Sequence, residues 1–176
     1  MKRIAVDMDG VMADTDSHYI NLYYEEYGVR VPSEQLSGKS EGAGFPEKEA
    51  IGKFVRSAGF FRTLPVMPGA VAAIAELMKH FEIYIVSAAM EFPKSLPEKH
   101  EWLQEHFPFI SWRNIIFCGD KSIINADYMI DDHPKNLDNF KGRTIMFNCS
   151  HNANVNHHQR VMSWAEVLEV LKEEIS

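Results

Sequence analysis

The 176-residue chain suits one domain with room for a small inserted subdomain, and its 45% apolar and 24% charged residues are ordinary for a globular protein. A formal net charge of −7 argues against a general nucleic-acid surface, because such surfaces are usually basic. No apolar stretch approaches the roughly 20 residues that span a bilayer, the first residues do not resemble a signal peptide, and only Cys118 and Cys149 are thiols, so we expect a cytoplasmic protein with reduced cysteines.

The first part of the chain predicts one strand followed by helices. The apolar run "RIAVD" is typical of a short buried strand. A helix is expected from Ala13 to Gly28, since glycine is a common helix stop. The stretch "VRVPSEQLSGKSEGAGFPEK" predicts turns because of its Pro, Gly and Ser content. Further helices are expected in "EKEAIGKFVRSAGFF" and in "MPGAVAAIAELMKHF".

The remaining chain alternates predicted strands and helices. The strand "EIYIVSAA" is followed by the helix "LPEKHEWLQEHF". Three more strands are expected in "IIFCGDK", "ADYMIDD" and "RTIMFN". The C-terminal segment "SWAEVLEVLKEEI" predicts a helix in which Ser163 is the N-cap and Glu166 completes a capping box.

This order of elements predicts an α/β fold with a Rossmann-like, mostly parallel sheet of five strands. The strands are almost continuously apolar, as expected when both faces of a sheet are covered. Residues 15–66 interrupt the alternation, so we predict that they form a small inserted helical cap. Residues 1–14 and 67–176 would then form the core domain.

Polar residues follow four successive predicted strands at the point where each strand ends. Because ligands of open α/β sheets bind outside the carboxyl ends of the strands, these side chains are expected to meet in one crevice. They are Asp7 and Asp9 after the first strand, Ser87 after the second, Lys121 after the third, and Asp131 and Asp132 after the fourth.

The chemistry of this set predicts a cation and a phosphate. Several carboxylates in one crevice repel each other unless a hard cation lies among them, and Mg²⁺ suits a few carboxylates with waters and a phosphate. A lysine and a serine are suitable phosphate ligands. Asp7 and Asp9 can take different roles, one as a nucleophile and the other as a general acid and base.

The segments "DMDGV", "IVSAA", "GDKSI" and "MIDDHPKN" resemble, in this order, the four motifs of the haloacid dehalogenase-like phosphohydrolase superfamily. Other segments narrow the resemblance to the 5'(3')-deoxyribonucleotidase family, since they lie outside the four motifs. They are "GFFRTLPVMPGA", "DKSIINADYMIDD", "IMFNCSHN" and "MSWAEVLEVL". The resemblance covers the whole chain.

The resemblance implies a phosphoric monoester hydrolase that acts on a nucleotide, with a haloacid dehalogenase-like core. Asp7 would attack phosphorus and form an aspartyl-phosphate, while Asp9 would protonate the leaving oxygen and then activate water. Mg²⁺ would be held by Asp7, by the backbone carbonyl of Asp9 and by Asp131, with Asp132 behind these ligands. Ser87, Ala88 and Lys121 would bind the phosphoryl oxygens. No nucleic-acid polymer and no membrane is implied as a partner; a homodimer is compatible with the sequence.

Three positions depart from the family pattern and leave the substrate open. The family carries an aromatic residue at the place of Thr15, an arginine at the place of Gly119, and a Ser-Pro pair where this chain has Ala88 and Ala89. One alternative is therefore the same chemistry on another small phosphate ester, such as a sugar phosphate. Another is a binding module that has lost catalysis, although retention of both Asp7 and Asp9 argues against it.

Two further patterns have a structural as well as a functional interpretation. The loop "NCSHNANVNHH" contains His151, His157 and His158, which are either a second metal cluster or, as we favour, ordinary residues of a polar loop. The aromatic residues of "HYINLYYEEY", and Phe60 and Phe61, either stack on a nucleobase or, for most of them, pack the cap onto the core.

Overall fold

A computed structural model describes residues 1–175 and confirms the α/β fold with a parallel sheet. The sheet has the strand order β3-β2-β1-β4-β5-β6, and every neighbouring pair is parallel. Its strands are β1 (Arg3–Val6), β2 (Glu82–Ser87), β3 (Ile115–Phe117), β4 (Tyr128–Asp131), β5 (Arg143–Phe147) and β6 (Gln159–Val161). The prediction of five strands was one short, because β6 has three residues, two of them polar, and follows a polar loop.

The helices are α1 (Thr15–Tyr27), α2 (Ala50–Arg56), α3 (Ala70–Leu77), α4 (Ser95–His106), α5 (Pro134–Leu137), α6 (Trp164–Val170) and α7 (Lys172–Ile175). The stop at Gly28 is confirmed, since its backbone is left-handed with φ 68° and its N–H donates to the carbonyl of Tyr24. Helix α2 is shorter than predicted. None of the helices in the described residues is long and apolar enough to cross a membrane.

The C-terminal helix differs from its prediction in two details. It is divided into α6 and α7 at Leu171. The Ser163 hydroxyl accepts a hydrogen bond from the Glu166 backbone N–H at 3.3 Å, as predicted for an N-cap. The Glu166 carboxylate, however, accepts from the N–H of Met162 at 2.7 Å, one residue before the position that a capping box uses.

Both faces of the sheet are covered, which explains the continuous apolar runs of the strands. In β1, Ile4 and Val6 pack into the large core cluster together with Trp164 and Leu77. Ala5 points the other way into a smaller cluster, and its neighbours there include Val86, Met129, Met146 and Leu137 of α5. β1 is thus packed between two hydrophobic clusters, and this packing fixes the position of the residues that directly follow it.

The chain leaves the sheet region and returns to it at one place. Ala13 and Val66 form an antiparallel bridge. The N–H of Asp14 donates to the carbonyl of Pro65 at 2.8 Å, and that of Met67 donates to Met12 at 2.7 Å. We retain the division into a core of residues 1–14 and 67–176 and a cap of residues 15–66 as a proposal, which this paired crossing supports.

Trp102 of α4 connects the returning end of the cap to the core. Its ring is fully buried, and its indole N–H donates to the carbonyl of Leu64 at 2.7 Å. We predict that Trp102→Phe lowers the free energy of unfolding by about 2–4 kcal/mol, because a buried carbonyl loses its donor and the smaller ring leaves a cavity.

Urea denaturation measures this change, and Trp112→Phe is the matched control. The Trp112 side chain is 73% exposed, so its replacement should alter stability by less than about 0.5 kcal/mol. Equal effects of the two substitutions would contradict the anchoring role of Trp102.

Candidate active site

The carboxyl ends of β1, β2, β3 and β4 meet at a cavity of about 400 Å³. Asp7, Asp9, Ala88, Lys121 and Asp132 line this cavity, so five of the predicted site residues border it directly. Ser87 and Asp131 are almost completely buried at the ends of β2 and β4 and contact the lining residues from behind. The structure thus brings the whole predicted set together.

The Lys121 ammonium lies between two buried carboxylates. Its Nζ is 2.7 Å from Oδ1 of Asp7 and 2.7 Å from Oδ2 of Asp131. Burial raises the pKa of Asp7 and Lys121 counteracts this, leaving it at about 6. Burial lowers the pKa of Lys121, but the attraction of the two carboxylates outweighs it and the pKa is raised. Lys121 is therefore a fixed cation in this cluster.

Both oxygens of the Asp131 carboxylate accept hydrogen bonds. Its Oδ1 accepts from the backbone N–H of His133 at 2.8 Å, and the Asn136 amide donates to its two oxygens at 3.0 and 3.1 Å. Together with Lys121, these donors fix the orientation of the carboxylate.

Lys99 is a site residue that the sequence analysis missed. It is buried on α4, where its ammonium pairs with the carboxylate of Asp9, donates to Oγ of Ser87 at 2.9 Å and lies 4.7 Å from the ring centre of Phe61. The sequence contains a signal for it: Lys99 precedes the buried Trp102 by three residues and is therefore on the apolar side of its helix. A lysine in that position needs a partner inside the protein.

Asp132 directly follows β4, and it contacts the loop that follows β5. Its Oδ2 is 2.7 Å from Nε2 of His151, and its backbone carbonyl accepts from the Asn152 amide at 2.8 Å. Its other carboxylate oxygen, Oδ1, is buried and has no hydrogen-bond partner among the described residues. A buried carboxylate oxygen without a donor is costly, so this atom is available for a ligand.

The donor set fits a hard divalent cation. Carboxylate oxygens of Asp7, Asp131 and Asp132 all lie within 4.8 Å of one another. Oδ1 of Asp9 is a second buried oxygen without a partner in residues 1–175. Oxygen ligands of this kind are those that Mg²⁺ and Ca²⁺ prefer. Asp132, predicted to lie behind the ligands, is thus as close to the cluster as the two predicted carboxylate ligands.

Aromatic side chains also line the cavity. They are Tyr19, Phe60, Phe61 and Phe92, with the rings of Tyr19 and Phe60 stacked at 5.6 Å and those of Phe60 and Phe61 edge to face at 4.9 Å. Thr15 also lines the cavity, so the position at which the family carries an aromatic residue does border it. One cavity is therefore lined by both charged and aromatic side chains.

Gly10 leaves room for the Asp132 carboxylate because it has no side chain. Its φ is +73°, and a Cβ there would lie 2.3 Å from Oδ2 of Asp132 and 3.0 Å from Sγ of Cys149. We predict that Gly10→Ala lowers the free energy of unfolding through left-handed strain, about 1–2 kcal/mol, plus at least about 1 kcal/mol from crowding.

Gly28→Ala is the control that separates backbone strain from crowding, and urea denaturation measures both variants. Gly28 has a similar φ of +68°, but a Cβ there would meet no atom within 4 Å. It should show the strain alone, so a loss as large as that of Gly10→Ala would contradict the crowding of Asp132.

Comparisons with known proteins agree with this geometry. Residues 1–174 match the profile of the family described as 5' nucleotidase, deoxy (pyrimidine), cytosolic type C. The chain is 38% identical over 182 residues to a Bacillus subtilis 5'(3')-deoxyribonucleotidase, covering 94% of this chain and 96% of that protein. It is 44% identical over 167 residues to a Staphylococcus epidermidis protein provisionally given the same name, covering 94% and 93%.

Solved structures with low sequence identity share the fold. A HAD family hydrolase from Deinococcus radiodurans, crystallised with phosphate and sodium, superposes with a TM-score of 0.68 at 12% identity and covers 99% of this chain and 96% of its own. A hydrolase from Pseudomonas syringae superposes with a TM-score of 0.59 at 14% identity, covering 98% and 99%. The chain belongs to the 5'(3')-deoxyribonucleotidase family, and is a phosphoric monoester hydrolase of the nucleotidase type with a haloacid dehalogenase-like fold.

Proposed function

We propose that this protein hydrolyses nucleoside monophosphates, preferring deoxyribonucleotides, in a Mg²⁺-dependent reaction that passes through an aspartyl-phosphate, an acyl phosphate, on Asp7. The observation that carries the proposal is one cavity lined by Asp7, by the buried lysines Lys99 and Lys121, and by aromatic rings. A phosphate suits the charged side chains and a nucleobase suits the aromatic ones. The names of the relatives support the same substrate class.

In the proposed reaction, a carboxylate oxygen of Asp7 attacks phosphorus while the bond between phosphorus and the sugar oxygen breaks. The carboxylate of Asp9 is paired with Lys99 in the free protein, so it takes a proton from solvent when the bound phosphate engages the Lys99 ammonium, and it gives this proton to the sugar oxygen. Asp9, now ionised, takes a proton from water as the water oxygen attacks phosphorus, which releases inorganic phosphate and restores Asp7. Lys121 and the backbone N–H of Met8, 2.8 Å from Oδ1 of Asp7, hold the nucleophile in place.

Positive charge for the phosphoryl oxygens comes from two sides of the cavity. Lys121 approaches from the end of β3, and Lys99 approaches from α4 with Ser87 beside it. In the free protein Lys99 is paired with Asp9, so the ammonium is already in place before a phosphate arrives. Fixed donors of this kind stabilise a transition state without reorganisation.

The proposed Mg²⁺ would be held by Asp7, Asp131 and the backbone carbonyl of Asp9, with the unpartnered oxygen of Asp132 as an additional ligand or as the acceptor of a bound water. When bound, it neutralises charge between the carboxylates and the phosphate. The cytoplasmic location remains a prediction, and a homodimer remains compatible with the sequence.

Thr15 favours one alternative substrate class. A threonine borders the cavity where the family has an aromatic residue, which removes one stacking surface for a base. A sugar phosphate would need no such surface, so this is the second candidate function.

The test is phosphate release from a panel of deoxy- and ribonucleoside 5'- and 3'-monophosphates, sugar phosphates and phosphoglycolate, with Mg²⁺ and with a chelator. We expect activity with Mg²⁺ alone and the highest kcat/KM on a deoxyribonucleotide. A sugar phosphate ahead of every nucleotide would overturn the substrate, and full activity in the chelator would overturn the metal requirement.

Asp7→Asn tests the nucleophile. The amide cannot form the acyl phosphate, so we predict that kcat falls at least about 1000-fold, while circular dichroism and the substrate-free fold are retained. An Asp7→Asn variant with more than a tenth of the wild-type kcat would contradict the role of Asp7.

Lys99→Met tests the residue that the sequence did not reveal. Methionine keeps the apolar stem and removes the ammonium, so we expect kcat/KM to fall about 100- to 1000-fold because transition-state charge is no longer balanced. Lys94→Met is the control at the start of the same helix, where the lysine is exposed and should be silent. Similar kinetics for both variants would show that Lys99 does not act on the phosphate.

A further inference from the structure

The three histidines of the loop "NCSHNANVNHH" separate into two groups. His151 faces Asp132 at the catalytic end of the cavity. His157 and His158 instead face Asp138, the residue that follows α5, and their Nε2 atoms lie 2.7 and 2.8 Å from the same carboxylate oxygen, Oδ1. The three histidines therefore do not form one group, and His157 and His158 need their own explanation.

The second group has the ligands and the spacing of a transition-metal site. The Nε2 atoms of His157 and His158 and a carboxylate oxygen of Asp138 lie within 4.8 Å of one another. Zinc bonds to histidine nitrogen and carboxylate oxygen are about 2.0–2.2 Å, which places tetrahedral ligand atoms roughly 3.3 Å apart. Each nitrogen would thus have to move from the oxygen by about half an ångström.

Two of the three ligands have room for that movement. The side chains of His157 and Asp138 are 57% and 47% exposed. His158 is the fixed member, since its side chain is only 8% exposed. A site with one rigid and two adjustable ligands can close on an ion without disturbing the core.

The orientation of His158 is set by a contact typical of metal-binding histidines. Its Nδ1 lies 3.0 Å from Oγ1 of Thr144 on β5. A histidine that binds a metal through Nε2 carries its proton on Nδ1 and donates it to an acceptor. The Thr144 hydroxyl can accept that proton, and it can donate instead when no metal is bound, so it supports His158 in both states.

The three side chains are also chemically suited to a zinc-class ion, since carboxylate oxygen and imidazole nitrogen are both common ligands of zinc. The carboxylate has two imidazoles as its neighbours here, and an imidazole is itself a good zinc ligand in its neutral form.

We propose that Asp138, His157 and His158 form a binding site for a zinc-class divalent ion. The site ties the end of α5 to the loop that precedes β6 and uses none of the catalytic residues. Its role is structural: α5 begins at Pro134, two residues after Asp132, so a bound ion would hold in place the segment that follows Asp131 and Asp132.

The experiment is titration of the full-length protein with Zn²⁺ against a chromogenic chelator, in excess Mg²⁺ so that the carboxylate cluster is already occupied. We expect one zinc site, weakened at least tenfold in His157→Ala and in His158→Ala. Thr144→Val should weaken it by about 10- to 100-fold through loss of the supporting hydroxyl. The control is His80→Ala, which changes a partly exposed histidine 3.6 Å from Glu76 on α3 and should bind zinc like the wild type.

Thermal unfolding gives a second readout that does not depend on activity. Zinc should raise the Tm of the wild type and of His80→Ala, and should not raise that of His158→Ala. His157→Ala changes an exposed side chain, so it keeps the test valid if His158→Ala folds poorly. Absence of zinc binding in the wild type, or equal binding in the His157→Ala and His80→Ala variants, would show that the group is only a pair of surface hydrogen bonds.

Discussion

The rest of the site depends on one constraint: buried carboxylates cannot share a small space unless cations lie between them. Asp7 and Asp131 satisfy it through Lys121, whose ammonium contacts both. Asp9 satisfies it through Lys99. Breaking a buried pair of this kind costs about 3–5 kcal/mol, since the remaining charge is left without a partner. The charged groups that pair with one another in the free protein are the same groups that would bind a phosphate and a divalent cation.

The parallel sheet makes this balance geometrically possible. β1 lies between β2 and β4, so residues that end three adjacent strands emerge side by side, and β3 adds Lys121 from one strand further. Gly10 lets the chain turn directly after the first aspartates without displacing Asp132. The paired crossing at Ala13 and Val66 joins residues 15–66 to the sheet region, and aromatic residues of this segment line the same cavity as the carboxylates and lysines. Charged and aromatic side chains therefore meet in one cavity.

Much of this arrangement could be predicted from the sequence, because a long apolar run shows where a buried strand ends. Those runs predicted the fold class and brought Asp7, Lys121 and Asp131 into one site. β6 could not be predicted, since a three-residue edge strand with polar neighbours has no periodic signal. Lys99 was missed because its helix looks polar and its partners are distant in the chain; only its place on the buried stripe marks it. The closeness of Asp132 to the other carboxylates depends on side-chain direction, which a strand pattern does not specify.

The central claim is that Asp7 carries the phosphoryl group during turnover, and acid-quenched single turnovers with peptide mass spectrometry test it most directly. Asp9→Asn should slow both the protonation of the leaving oxygen and the attack of water, so the wild type, which forms the intermediate at full rate, is measured with a deoxyribonucleotide and Mg²⁺. The account predicts a peptide containing Asp7 that carries one phosphoryl group and disappears as phosphate is released. Release of phosphate by the wild type with no phosphorylated peptide at any time, or with the group on another residue, would contradict it.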